Sequence, residues 1–173
     1  MNAGKNDVIL FAGYGMTAVI NKMQRILGLK SCGILGRKDC LQKSERPVVF
    51  ITHMEHHSNQ TSWYETIADV EVIKPIRSCY VDLNDLEEKL KKYQDRKLKI
   101  GSFTAASNVT GIETPYHQMA RLMHEANGLC FVDFAASAPY VNIDMHPGDD
   151  MEKLDAIFFS PHKFWKEPGA WAL

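Results

Sequence analysis

The strongest constraint in this sequence is a set of short apolar runs, each followed at its C-terminal end by polar residues and then by a helical pattern. Pro47-Val-Val-Phe-Ile-Thr52 leads into His53-Met-Glu-His-His-Ser-Asn59, and Lys99-Ile-Gly-Ser-Phe-Thr104 leads into Ala-Ala-Ser-Asn108. Leu129-Cys-Phe-Val-Asp133 and Asp155-Ala-Ile-Phe-Phe-Ser160 are two further near-continuous apolar runs with polar ends. Such runs lack the in-and-out alternation of a half-exposed strand, so they predict strands buried on both faces. Alternating with helices, they predict an α/β fold: a three-layer α/β/α sandwich around a mainly parallel mixed sheet.

The intervening segments carry their own start and stop signals. Val8-Ile-Leu-Phe11 reads as a strand before Gly13-Tyr-Gly15, and Met16, Ile20, Met23, Ile26 and Leu27 then recur at helical spacing up to Gly28. A helix is expected over Gln60 to Ala68, and a short strand over Val70–Ile73. Asp82 is an expected N-cap for a helix carrying Leu83, Leu86, Leu90 and Tyr93. Thr114 is expected to cap a helix with Pro115 in its first position, running through Met119, Leu122 and Met123 to Gly128. The segment Met145 to Asp150 reads as a turn-rich connector, and the final Gly169-Ala-Trp-Ala-Leu173 as an unfinished strand.

A length of 173 residues favours one domain. The 45% hydrophobic and 24% charged content is that of a globular chain. A net charge of −1 with dispersed Lys and Arg leaves no footprint for nucleic acid or an anionic membrane, so a small-molecule partner is expected. No apolar run reaches the roughly 18 to 20 residues of a membrane span, and the start lacks a signal-peptide stretch, which reads as cytoplasmic. Cys32, Cys40, Cys79 and Cys130 lack CxxC spacing and read as reduced, structural thiols.

Ligands of open parallel sheets bind beyond the carboxyl ends of the strands, and the informative residues cluster there. The turn Gly13-Tyr-Gly15-Met-Thr17 at a helix start offers free N–H groups and the positive end of the helix dipole, which suits a phosphate. Its letters also satisfy a dinucleotide fingerprint, Gly13-x-Gly15-x-x-Ala18, but the acidic residue expected on the next strand is missing; Asp39 lies in a Lys/Arg-rich stretch. His53, His56 and His57 could be read as part of a zinc site, as ordinary histidines, or as a ligand-stacking imidazole. Asp133 is either a turn carboxylate or the partner of a cationic ring nitrogen. Lys163, beside Ser160 and His162, is either a surface lysine or an amine able to condense with an aldehyde.

In order and spacing these segments resemble the class V aminotransferase family of fold-type I pyridoxal-phosphate enzymes, which includes cysteine desulfurases and selenocysteine lyases. Phe159-Ser-Pro-His-Lys-Phe164 looks like that family's lysine motif. The resemblance implies that Lys163 forms the Schiff base with pyridoxal 5'-phosphate, and that Ser160, His162 and the turn Gly15-Met16-Thr17 hold its phosphate. Glu55-His-His-Ser-Asn59, with Trp63 downstream, is similar to the segment whose first histidine stacks on the pyridine ring, so His56 takes that role and the zinc reading gives way to no metal. Ser107-Asn-Val-Thr-Gly111 resembles the loop whose asparagine, here Asn108, bonds the phenolic oxygen, and Asp133 matches the aspartate that pairs with the ring nitrogen.

Two positions differ from many relatives. Ala136 stands where the desulfurase branch often has a glutamine, and Lys166-Glu-Pro-Gly169 replaces a glycine-rich stretch. The resemblance implies an enzyme acting on a small amino-acid substrate, homodimeric at full length. In that family residues 1–173 correspond to a single cofactor-binding large domain, a fragment lacking the C-terminal small domain. The rival readings are a nucleotide-binding Rossmann-type module built on Gly13-Tyr-Gly15 and a non-catalytic domain that retains the fold.

Overall fold

A computed structural model describes residues 1–30, 41–77, 79–165 and 171–172. Five parallel strands form the central sheet: β2 (Val48–Thr52), β3 (Asp69–Ile73), β6 (Lys99–Thr104), β7 (Leu129–Asp133) and β8 (Ala156–Phe158), in the order β3-β2-β6-β7-β8. Two antiparallel pairs stand apart from it, β1 (Ala12–Gly13) with β9 (Trp171–Ala172) and β4 (Pro75–Ile76) with β5 (Tyr80–Val81).

Alternation along the buried strands divides the core into two layers. On one face Val48, Phe50, Phe103 and Val132 pack with Leu86 and Leu90 of α3 (Leu83–Lys92) and Met119 and Met123 of α4 (Tyr116–Glu125). On the other, Val49, Ile51, Ile100, Phe131 and Phe158 pack with Val19 and Ile20 of α1 (Gly15–Ile26) and Trp63 of α2 (His57–Tyr64). The architecture is therefore the three-layer α/β/α sandwich expected from the runs of strand residues.

The differences from the sequence reading are local, and each has a physical cause. Val8 to Phe11 is not a strand: its side chains are exposed, and the strand pairing covers Ala12–Gly13, which pair with Trp171–Ala172. Helix α2 starts at His57 rather than Gln60, because the His56 imidazole accepts from the backbone N–H of Ser58 and so caps it. It stops before Thr66, whose hydroxyl donates to Trp63 O and accepts from Ala68 N. Asp82 caps α3 as expected, accepting from Asn84 N and Asp85 N. Thr114 does not cap α4: its hydroxyl donates to Thr104 O at 2.6 Å, tying the helix entry to the end of β6. Cys32, Cys40, Asp39 and the Lys166–Gly169 stretch lie outside the described residues; Cys79 and Cys130 are free thiols. No helix among the described residues is long and apolar enough to cross a membrane.

Gly101 shows how closely the sheet centre is packed. A Cβ there would lie 2.4 Å from the Phe103 ring, which folds back over it along the same face of β6, and 3.1 Å from Met123. Phe103 and Met123 are both fully buried and have little room to yield. Gly101→Ala is expected to lower the unfolding free energy by about 1–3 kcal/mol, read by denaturant titration.

Candidate functional site

The chain leaves β2 toward β3 on one side and later returns to place β6 on the other, so strand order reverses between β2 and β6. A crevice at such a switch point is where open α/β sheets take ligands. Here β2 and β6 pair only from Val48–Lys99 to Phe50–Gly101, although each strand continues further, and their ends separate.

Polar side chains fill the gap. Glu55 Oε1 accepts from Thr52 N at 3.2 Å, Thr52 Oγ1 at 2.7 Å and Thr104 N at 2.8 Å, and its Oε2 accepts from Asn59 Nδ2 at 2.8 Å. Asn59 Oδ1 in turn accepts from Trp63 Nε1 and Ser102 Oγ. Burial pushes the Glu55 carboxyl up to about 7 against the pull of these donors, with the charge of Asp133 adding to the rise.

Over this floor lies a cleft of about 230 Å³ that brings together the residues to which the family resemblance gives a role: Gly15, Met16 and Thr17 from α1, His56 before α2, Asn108 after β6, Asp133 at the end of β7, and Ser160, His162 and Lys163 after β8. Tyr14, Ser58, Thr104, Ala135 and Ala136 also line it. Ala136 offers no hydrogen-bonding side chain at its position in that wall.

One end of the cleft suits an anion. Tyr14 and Gly15 both have positive φ, 69° and 78°, a backbone that glycine tolerates and tyrosine resists. They swing the start of α1 toward β8, where Met16 N donates to Ser160 Oγ at 3.2 Å. The Nδ1 of His162 is buried beside this helix start without a hydrogen-bond partner among the described residues. A helix N-terminus, a hydroxyl and an unsatisfied imidazole nitrogen together form an anion cradle.

Asp133 is 4% exposed, and among the described residues its side chain accepts a hydrogen bond only from Ala135 N, at 2.7 Å. Burial raises its carboxyl to about 6, while the Ala135 N–H and the Lys163 charge pull it down. A nearly dry carboxylate with one neutral donor is a site for a cationic or proton-bearing group. Lys163 lies on the short helix α5 (His162–Trp165), its N–H bonded to Ser160 O, with an exposed side chain on the cleft. Asn108 is carried on a loop that closes on itself: Gly111 N donates to Ser107 O, Ser107 N to Ile112 O, and Ser107 Oγ accepts from Val109 N and Thr110 N.

The other sequence candidates fall outside this arrangement. Gly13-x-Gly15-x-x-Ala18 is not part of a parallel βαβ unit, since β1 pairs antiparallel with β9, which removes the structural context of a dinucleotide fingerprint. His53 lines a neighbouring hollow of about 360 Å³ with His57 and Cys79, and both its ring nitrogens are buried without a partner. Among the described residues no group of three His, Cys, Asp or Glu could hold a metal ion. Cys130 is a core residue whose thiol burial pushes well up. Glu55 and Thr104 had gone unassigned by sequence reasoning; the signal available was the Glu55–Asn59 spacing of one helical turn just after a strand end.

Residues 35–169 match the family model described as aminotransferase class-V. A probable cysteine desulfurase of Haemophilus influenzae is 29% identical over 126 residues, covering 70% of this chain and 27% of its own length. A cysteine desulfurase of Synechococcus elongatus is 30% identical over 174 residues, covering 98% and 24%. Among solved structures, a NifS-like protein from Rickettsia africae superposes with a TM-score of 0.68 at 19% identity, over 94% of this chain and 39% of that one. An alanine–glyoxylate aminotransferase from Nostoc sp. gives 0.68 at 19%, over 97% and 40%. At these identities the superpositions establish the fold. The chain spans between 24% and 40% of the length of these four proteins.

The raised Asp133 carboxyl has a measurable consequence. In the fold it prefers to keep its proton, so its contribution to stability is greatest below its unfolded value near 3.8 and is lost as pH rises through about 6. Asp133→Asn is expected to be more stable than the wild type at pH 7 by on the order of 2 kcal/mol in the absence of ligand, with the difference vanishing near pH 4. Unfolding midpoints across that range check it; equal stability at both ends would show that Asp133 is solvated.

Proposed function

Because the chain belongs to the class V aminotransferase family, we propose that it is the cofactor-binding domain of a pyridoxal-phosphate-dependent enzyme acting on an amino acid. The observation that carries this reading is the meeting of five separate sequence segments in one cleft, with an anion cradle at one end, a buried carboxylate on its wall and a lysine between. The fit is supported by two groups that, among the described residues, are left open: the buried Nδ1 of His162 in the cradle has no hydrogen-bond partner, and the Asp133 carboxyl has no cationic partner at hydrogen-bond distance.

In this reading the N–H groups at the start of α1, the Ser160 hydroxyl and the His162 imidazole bind the phosphate. His56, held by its capping bond to Ser58, would hold the ring by stacking, and Asn108 would donate to the phenolic oxygen. Pyridoxal phosphate supplies, when bound, an aldehyde that links to amines and a ring that accepts electron density from the substrate's α-carbon. Asp133 holds the proton on the ring nitrogen, since a carboxylate in a dry site strongly favours the protonated partner. Lys163, exposed on the cleft, would hold the cofactor through its amine and would take and return the proton at the substrate carbon.

The cytoplasm as its location and a homodimer at full length remain part of this reading. Ala136 brings no side-chain donor to the cleft, so the phenolic oxygen would depend on Asn108, in an aminotransferase and in a desulfurase-like enzyme alike.

Incubation with pyridoxal phosphate followed by borohydride is expected to leave a stable pyridoxyl adduct on Lys163, located by peptide mass, and Lys163→Ala is expected to abolish it. Labelling of another lysine, or of none, would overturn the assignment.

A further inference from the structure

Glu55 has no part in the chemistry above, yet more of the site converges on it than on any residue that does. Its carboxyl takes four donors from three elements: both groups of Thr52 on β2, Thr104 N on β6 and Asn59 on α2. These are the two strand ends that no longer pair with each other, so the carboxyl replaces the missing ladder bonds across the switch point. The residue after it is His56, which caps α2 and lines the cleft; Thr104, which it anchors, lines the cleft as well. Thr104 is also the register partner of Asp133, so the two buried acids stand on either side of one strand end.

We propose that Glu55 is a positioning residue of the cofactor site: its carboxyl sets the spacing between β2 and β6 that aims His56 and Thr104 into the cleft, and its charge reinforces the hold of Asp133 on a cationic ring nitrogen. The proposal rests on the pyridoxal-phosphate reading.

Two charges separated by one strand in a dry site interact appreciably, whereas across water they would not. The groups that face Glu55 from the strands and helix around it are neutral donors, Thr52, Asn59 and Thr104, so the charged neighbours that bear on it are Asp133 on β7 and, beyond it, Lys163 after β8. His53 and His56 flank it along the chain. Glu55 is poised near neutral pH by burial. A cation bound at Asp133 favours the ionised form of Glu55, and by reciprocity an ionised Glu55 favours the cation. The same carboxyl would serve the geometry at either pH, but the affinity only when charged.

The test is pyridoxal-phosphate affinity of the wild type and of Glu55→Gln at pH 6 and pH 8. The two proteins are expected to bind within a factor of about two at pH 6, and the variant about tenfold more weakly at pH 8. An amide at position 55 also sets its own N–H group against Asn59 Nδ2, which could cost stability, so a second readout uses the wild type alone. With glutamate labelled by carbon-13 at its carboxyl, the buried glutamate resonance is expected to titrate near pH 7 without cofactor and at least one pH unit lower with it. An affinity ratio that does not change with pH, or a Glu55 titration that is the same with and without cofactor, would overturn the proposal while borohydride labelling of Lys163 stayed intact. Loss of that labelling in the wild type would overturn the cofactor reading itself, and this proposal with it.

Discussion

The site depends on one substitution of bonding partners: at the C-terminal ends of β2 and β6, the Glu55 carboxyl takes the backbone N–H groups that a continued strand ladder would have used. A parallel sheet that reverses strand order must open a crevice at the point of reversal. Opening it exposes backbone donors inside the protein, and an unpaired buried donor costs on the order of 1–3 kcal/mol. Glu55 satisfies two such donors at once, and Asn59 extends the repair by bonding Ser102 and Trp63. The crevice can stay open while these strand-end N–H groups stay bonded.

What the open crevice makes possible is a line of side chains at successive strand ends, each fixed by a different local device. His56 is held by the Ser58 N–H in the first turn of α2, Asn108 by a loop that closes on Ser107, and Asp133 by the N–H two residues on. Ser160 is held by the start of α1, a helix more than 130 residues earlier in the chain. The rigid sheet sets the distances between these devices, which is why a shallow cleft can present an anion site and an acid in fixed relation. The two acids near its floor are kept apart from bulk water, and the charge of Asp133 raises the carboxyl of Glu55.

Much of this was legible in the chain. The continuous apolar runs at Val48, Lys99, Leu129 and Ala156 can be satisfied only by burial on both faces, so the parallel sheet followed directly. Asp82 capped its helix as its type demands, because a cap is a local bond. The readings that failed were those needing a distant partner. Val8 to Phe11 has strand composition but stays exposed outside the sheet, and Thr114 has the chemistry of a cap but reaches Thr104 O instead.

Sequence by itself determined the residue types at the strand ends and their order, since periodicity and capping act over a few residues and the resemblance to a family rests on spacing. Tertiary structure alone decided that these residues meet in one cleft, that Glu55 bridges strands the chain does not place side by side, and that Ser160 meets the start of α1. The reason is physical: register and strand order are set by the packing of whole layers, and no local pattern of residues records which strand lies across a crevice from which.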